Sequence, residues 1–307
     1  MKVLLVGGTG HIGGRLARHL AEQSIDVAVT SRRAGPIDEW ARAIPVVSVA
    51  DIEATKWEEV ISDYSHVVHL VSPREKECND NHDLARQVVE TGSARLGQAV
   101  ALVGNRLVYL STAQVYGPKP TGRLTEKSPP VPGNVYAAVH LAAESVLRDT
   151  CGSALTIVRL ANSVGLPVHP SIDTWQLLVH DLAREVAQNG TLTLRSSGLQ
   201  HRSFVAVSEV IDALVQLMKS DASLATVNFA NHRSQSVLSM AKRIGRLHSK
   251  LTGSESILRA PDPSDDEVEN PFELVNESPA ATGLSLGDEA QIDSEIIRIM
   301  AETARTK

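Results

Sequence analysis

Gly7, Gly10 and Gly13 recur at every third position in the run Gly7-Gly8-Thr9-Gly10-His11-Ile12-Gly13, directly after the apolar segment Lys2–Val6 and directly before an amphipathic one. Residues without a Cβ let a chain turn sharply off a strand and let backbone N–H groups approach a ligand, while the amides that open the next helix hold negative charge. Strand, glycine turn and helix in this order predict a cradle for the pyrophosphate of a dinucleotide. The next apolar run closes on Ser31-Arg32-Arg33. An acidic residue there would accept hydrogen bonds from adenosine ribose hydroxyls, whereas arginine pairs bidentately with a 2′-phosphate. Ser31, Arg32 and Arg33 therefore point to NADP(H) in preference to NAD(H). Asp51-Ile52, after the third apolar run, stand where an adenine amino group could be held.

These residues require strands ending at one edge of a sheet. Short apolar runs at Lys2–Val6, Asp26–Thr30, Val46–Val49, His66–Leu70, Arg106–Ser111 and Leu155–Leu160 alternate with helical periodicity at Ile12–Gln23, Lys56–Asp63, Asp83–Val103 and Tyr136–Asp149. That rhythm predicts an α/β fold, a doubly wound parallel sheet of six strands with ligands beyond the strands' carboxyl ends. Beyond residue 165 the rhythm loosens. A helical run over Thr174–Gln188, short strands at Leu192–Leu194 and Phe204–Val207 and a helix at Glu209–Lys219 fit a smaller C-terminal α/β substrate region. The boundaries expected are a dinucleotide-binding domain over 1–165, with 203–235 packing back on it, and a mainly substrate-binding region over 166–307. Ala260–Pro271, rich in Pro, Asp and Glu, has no apolar period and reads as a solvated loop.

With 307 residues, 42% of them hydrophobic, the chain can bury a large core. A net charge of −6, mixed along the chain, provides no basic field for a nucleic acid. Cys78 and Cys151 are the only cysteines, which leaves no disulfide framework and points to a reducing cytoplasm. The histidines show no ligand-like pairing, so no metal is expected. No segment nears the ~20 apolar residues of a membrane span and the first apolar run is too short for a signal peptide, so a soluble, cytoplasmic protein is expected.

The pattern Gly7-x-x-Gly10-x-x-Gly13 resembles the extended short-chain dehydrogenase/reductase superfamily, and within it the NAD(P)-dependent epimerase/dehydratase family, whose cofactor domain is of the Rossmann type. His69-Leu70-Val71-Ser72 is similar to that family's fourth-strand segment and Ser111-Thr112-Ala113-Gln114-Val115-Tyr116-Gly117 to its fifth-strand signature. Tyr136 heads a helix as the family's catalytic tyrosine does. Arg159-Leu160-Ala161-Asn162-Ser163-Val164-Gly165 resembles the sixth-strand segment, and Gly198-Leu199-Gln200-His201-Arg202-Ser203-Phe204-Val205 a later signature. The resemblance spans residues 1 to about 235. It implies that Leu70, Val71 and Ser72 border the cofactor, that Thr112 hydrogen-bonds the substrate oxygen and that Tyr136 exchanges a proton with it. Asn162 and Arg202 would bind the substrate, a nucleotide sugar, Arg202 at its diphosphate. Chemistry agrees: an alkoxide left by hydride transfer must be protonated, and a phenol beside a hydroxyl donor can do it.

The family's Tyr-x-x-x-Lys is here Tyr136-Ala137-Ala138-Val139-His140. One helical turn keeps His140 on the face of Tyr136, within reach of the nicotinamide ribose. An imidazole with an ordinary pKa of ~6.5 has no permanent charge to lower the tyrosine's pKa. Three readings follow: an oxidoreductase in which His140 replaces lysine, an epimerase that retains its cofactor, or a regulator that binds NADP without turnover. Ala113 and Gln114 stand where the family's dehydratases carry an acidic pair, which disfavours 4,6-dehydration. Val89 replaces a usual asparagine, and Ser203 an acid. The resemblance also implies a homodimer formed through the two long helices.

Overall fold

Alternation along the strands builds two packing faces. Val3 and Leu5 turn to one side of the sheet with Val27, Val29, Val68, Val108 and Val158, and Leu4 and Val6 turn to the other with Ala28, Val67, Leu107, Tyr109 and Ile157. Both faces are buried, as a parallel sheet flanked by crossover helices requires. A computed structural model of the chain describes residues 1–32, 39–220 and 225–305. Its central sheet has seven strands: β1 (Lys2–Val6), β2 (Asp26–Ser31), β3 (Val46–Ser48), β4 (His66–His69), β5 (Arg106–Thr112), β6 (Leu155–Leu160) and β7 (Ala225–Phe229). They run in the order β7-β6-β5-β4-β1-β2-β3, every neighbouring pair parallel. The order reverses between β1 and β4, and a crevice opens there at the carboxyl ends.

On the first face lie α1 (His11–Glu22), through Leu16 and Leu20, and a later helix, Val207–Lys219. On the second lie α2 (Gly92–Val103) and α3 (Val135–Cys151), packed so closely that a Cβ on Gly97 would come within 2.7 Å of Leu147. A third cluster joins the helices Leu178–Asn189, Val237–Thr252 and Glu289–Arg305 beyond the sheet. Arg15 of α1 ties that cluster to the sheet through Glu295, 2.8 Å away and buried.

Three expectations change. The sheet has a seventh strand, Ala225–Phe229, set beside β6. The helix expected over Asp83–Val103 is broken into His82–Ala85, a π-helical segment over Arg86–Thr91 with Val89 buried in the core, and Gly92–Val103. The helix expected from Thr174 starts at Leu178, because Asp173 and Thr174 instead accept turn hydrogen bonds from Trp175 and Leu177. Ala260–Pro271 carries no strand or helix. Among the described residues no helix is long and apolar enough to cross a membrane.

Candidate functional site

The glycine turn leaves β1 with Gly7 at φ +89°, and the Gly7 N–H donates to Thr30 Oγ1 at 3.0 Å, fastening the turn to β2. Two of its glycines are needed for packing: a Cβ on Gly13 would stand 2.5 Å from the Gly7 carbonyl oxygen, and one on Gly8 would stand 2.5 Å from Val29. Gly10 differs. Its Cβ would meet only the Gly7 oxygen, at 3.4 Å, so its open side faces away from protein. A bare glycine at the head of α1 with free space above it fits a pyrophosphate held by N–H groups. His11 turns inward, its Nε2 2.6 Å from the Gly165 carbonyl oxygen and its ring edge against His180; burial and the nearby His180 lower its pKa to about 3.

At the end of β2, Ser31 is buried and Arg32 exposed; Arg33 lies outside the described residues. Asp51 commits one carboxylate oxygen to its own turn, accepting from the Glu53 and Ala54 N–H groups at 2.8 and 3.3 Å. Ile52 fills the space over Gly92, and its carbonyl accepts from the buried Trp57 indole at 2.9 Å. Leu70 continues the sheet past β4, its N–H donating to Val6, and Val71 closes over Gly7.

A cavity of about 1030 Å³ opens at the carboxyl ends of β4, β5 and β6. Thr112, last residue of β5, and Tyr136, in the first turn of α3, share its floor with Ser72. Asn134 caps α3, accepting from the Ala137 N–H at 2.8 Å, and so fixes the turn that carries Tyr136. Burial, with the nearby Cys78 and Glu75, pushes the Tyr136 phenol up to about 12, against hydrogen bonding from Thr112 and Ser72. Asn162 and Arg202 border the same cavity. Asn162 spends its amide N–H on the Ser203 carbonyl at 3.0 Å, and Arg202 is exposed. Ser203 is not in the cavity wall through its hydroxyl, which donates inward to Asn231 at 2.9 Å.

His140 is displaced from its expected place. Its ring is 4.7 Å from that of Tyr136, as the helical spacing predicts, but it is 1% exposed and forms no part of the cavity wall. Nδ1 lies 2.7 Å from the Tyr109 hydroxyl and Nε2 3.1 Å from Ser72 Oγ, which occupies both ring nitrogens within the protein. Imidazole is shorter than a lysine side chain and stops behind Ser72. Burial lowers its pKa to about 4 despite the pull of Glu144, so the ring is neutral near pH 7.

Two features escaped the sequence. Glu75, in the short helix Glu75–Asp80, reaches the cavity and accepts hydrogen bonds from Gln114 (2.9 Å) and Asn134 (3.1 Å); no motif marks it. Beneath the floor, buried Glu144 accepts from Ser111 at 2.6 Å and from Arg159 at 2.7 Å, and Arg159 also donates to Tyr116 at 3.0 Å. Burial pushes the Glu144 carboxyl up, but Arg159, Ser111 and Arg148 outweigh it and hold the acid below its ordinary range. The helical spacing of Tyr136, His140 and Glu144 was the signal that could have placed Glu144 under the site.

The low-salt glycan biosynthesis protein Agl12 of Haloferax volcanii is 24% identical over 284 residues, 88% of this chain and 85% of that protein. UDP-glucuronic acid decarboxylase 5 of Arabidopsis thaliana is 23% identical over 85% of this chain and 79% of its own length. Among solved structures, MoeE5 in complex with UDP-glucuronic acid and NAD superposes with a TM-score of 0.81 at 20% identity over the whole of both chains, a likeness of fold. The model of the NAD dependent epimerase/dehydratase family matches residues 3–230, which takes in the cradle, the Thr112–Tyr136 floor, Asn162 and Arg202. This chain is a member of the NAD dependent epimerase/dehydratase family.

Proposed function

We propose that the protein is a nicotinamide-dinucleotide-dependent oxidoreductase acting on a carbonyl or alcohol carbon of a nucleotide sugar. The observation that carries this reading is the meeting of Thr112 and Tyr136 in one cavity with Asn162 and Arg202, beside a glycine cradle open at Gly10. Residues 1–165, with 203–235 packed back on them, would serve the dinucleotide, and 166–307 mainly the sugar nucleotide. Gly7, Thr9, Gly10, Ile12 and Gly13 would hold the pyrophosphate, with His11 bracing the turn. Ser31, Arg32, Asp51 and Ile52 would hold the adenosine end, and Leu70, Val71 and Ser72 the nicotinamide end. Arg32, with Arg33, favours NADP(H), whereas the structural relative MoeE5 is described with NAD. When bound, the dinucleotide supplies the hydride donor and acceptor.

Thr112 donates to the oxygen of the reacting carbon, and Tyr136 transfers a proton to or from it. A phenol held near 12 is protonated at pH 7, which suits it to protonate the oxygen of a carbonyl under reduction. His140 acts at one remove, bracing Ser72 by a hydrogen bond and adding no charge. Arg202 binds the diphosphate through charge-assisted hydrogen bonds. The relatives named for sugar-nucleotide chemistry support the substrate class.

The test is dinucleotide binding and turnover with the full chain and a panel of uridine- and thymidine-diphosphate sugars and their 4-keto forms. Tyr136→Phe is expected to lower kcat by about 10²-fold or more with dinucleotide affinity unchanged. Arg202→Glu is expected to abolish sugar-nucleotide affinity and spare dinucleotide binding; unchanged sugar-nucleotide affinity rejects that substrate class. NADPH bound one per chain with no Tyr136-dependent consumption would leave a binding regulator, and a tightly retained oxidised dinucleotide with no need for added cofactor would mark an epimerase.

A further inference from the structure

Glu75 lines the cavity and is held against both Gln114 and Asn134. Its Oε2 accepts from Gln114 Nε2 at 2.9 Å and its Oε1 from Asn134 Nδ2 at 3.1 Å, while the same Asn134 amide also donates to Gln114 Oε1 at 3.1 Å. Neither flanking cation is its partner among the described residues. Arg74 pairs with Glu77 and Asp173, and Lys76 pairs with Asp80. Neutral amides therefore orient this carboxylate toward the cavity it lines. It lies close enough to Tyr136 for its charge to oppose ionisation of the phenol. Gln114, two residues after Thr112, cannot act as a base; the carboxylate it anchors can.

We propose that Glu75 is a further catalytic residue, the base that exchanges a proton with the carbon next to the carbonyl of a bound 4-keto nucleotide sugar; this rests on the nucleotide-sugar reading above. In the forward step the C–H bond breaks, its proton forms an O–H bond on Glu75, and the electron pair moves into the carbonyl as an enolate. Thr112 and Tyr136 receive the negative oxygen as hydrogen-bond donors. The O–H on Glu75, at an exposed position, trades its proton with solvent, and return of a solvent-derived proton to the same carbon completes the exchange, with no oxidant or reductant consumed. The site would then reach carbons beside the oxidised one, chemistry that the neutral residues Ala113 and Gln114 could not perform alone.

The experiment incubates the full chain in deuterium oxide with a thymidine-diphosphate 4-keto-6-deoxyhexose and follows, by proton NMR, the loss of the hydrogens on C3 and C5. Binding of the same compound is measured separately by calorimetry. Absence of binding rejects the substrate class itself, whereas binding without exchange rejects only the role of Glu75. The expected result is exchange by the native chain, slowed by about 10²-fold or more in Glu75→Gln at saturating ligand, and regained when Gln114→Glu is added. Glu75→Gln keeps side-chain size at an exposed position, so the thermal midpoint should not move. A role confined to holding Gln114 and Asn134 would alter affinity and leave exchange from the bound state intact, and that outcome overturns the proposal.

Discussion

His140 Nε2 lies 3.1 Å from the Ser72 hydroxyl, so the residue one helical turn beyond Tyr136 communicates with the cavity through a serine. The arrangement replaces a charge with a hydrogen bond. Burial keeps the imidazole neutral, with a pKa lowered to about 4, so it adds no positive charge against the burial that raises Tyr136.

His140→Lys tests this directly. The two rings are centred 4.7 Å apart, and an ammonium at about 5 Å in an effective dielectric of about 20 is worth about 3 kcal/mol, or about two pH units. The Tyr136 phenol, held at about 12 in the native chain, should then ionise near pH 10, read as phenolate absorbance against a Tyr136→Phe control. The native chain should show no inflection from His140 between pH 5 and 8. A phenolate titration unmoved by the lysine would disprove the geometry.

Gly10→Ala and Gly13→Ala should separate ligand binding from folding. A Cβ on Gly13 would be pressed to 2.5 Å from the Gly7 oxygen and 2.7 Å from the Gly8 Cα, both backbone atoms that cannot step aside. That variant should lose about 1–3 kcal/mol of stability. On Gly10 the nearest atom is at 3.4 Å, so the variant should fold with a thermal midpoint close to native yet bind NADPH at least about tenfold more weakly, the loss of roughly one hydrogen bond to a charged group. Native affinity in Gly10→Ala would mean the pyrophosphate does not lie over that glycine.

The six expected strands and the glycine turn were legible because each is a local pattern: apolar alternation, then residues lacking a Cβ. The seventh strand was not. Ala225–Phe229 places Asn228 in the interior, where its polar side chain is satisfied by Tyr116 and by the Val275 carbonyl from distant parts of the chain, and so it breaks the apolar run a buried strand shows. The helix Val237–Thr252 was hidden by Gly245, a poor helix former kept there because Ser256 would lie 2.6 Å from a Cβ. Thr112, Tyr136, Asn162 and Arg202 were singled out by motif, and the fold gathers them around one cavity. Glu75 was not, since its place depends on hydrogen bonds to Gln114 and Asn134 across 39 and 59 residues of chain. His140 was located on the right face of its helix, but its depth was set by Tyr109 and Ser72, partners that spacing cannot reveal.

Buried histidines such as His69 and His140 should make stability fall as the solution is acidified. His69 is fully buried, with Nε2 3.0 Å from Ser93 and Nδ1 unpartnered; burial, and then the neighbouring His140, lower its pKa to about 3. With an unfolded value of ~6.5, the unfolded chain binds more protons between the two values. The stabilisation is therefore complete above about pH 6.5 and is lost as pH falls toward the folded values. Each such histidine contributes a slope of about 1.4 kcal/mol per pH unit between about pH 5.5 and 4.5. Urea unfolding of His69→Gln, which keeps an amide for Ser93, should show a slope shallower than native by that amount. Parallel slopes would show that His69 titrates normally in the fold.

The pair Glu144 and Arg159 joins the two elements that carry Tyr136 and Thr112. Glu144 stands on α3 two turns after Tyr136, and Arg159 stands on β6 beside β5, which ends in Thr112; Ser111 Oγ donates to Glu144 at 2.6 Å and completes the tie. The side chains of Glu144 and Arg159 are 0% and 4% exposed, so removing one partner strands a charge. Arg159→Met should destabilise the chain by about 3–5 kcal/mol, because Arg148, one-third exposed, cannot replace the lost donors. Adding Glu144→Leu removes the stranded carboxylate, and the double variant should be more stable than Arg159→Met alone. If the two losses simply add, the ion pair is not a coupled unit. Where they couple, the double variant also asks whether burial alone can hold Tyr136 over Thr112: a restored thermal midpoint with kcat still low would assign the pair to alignment of the two hydroxyls.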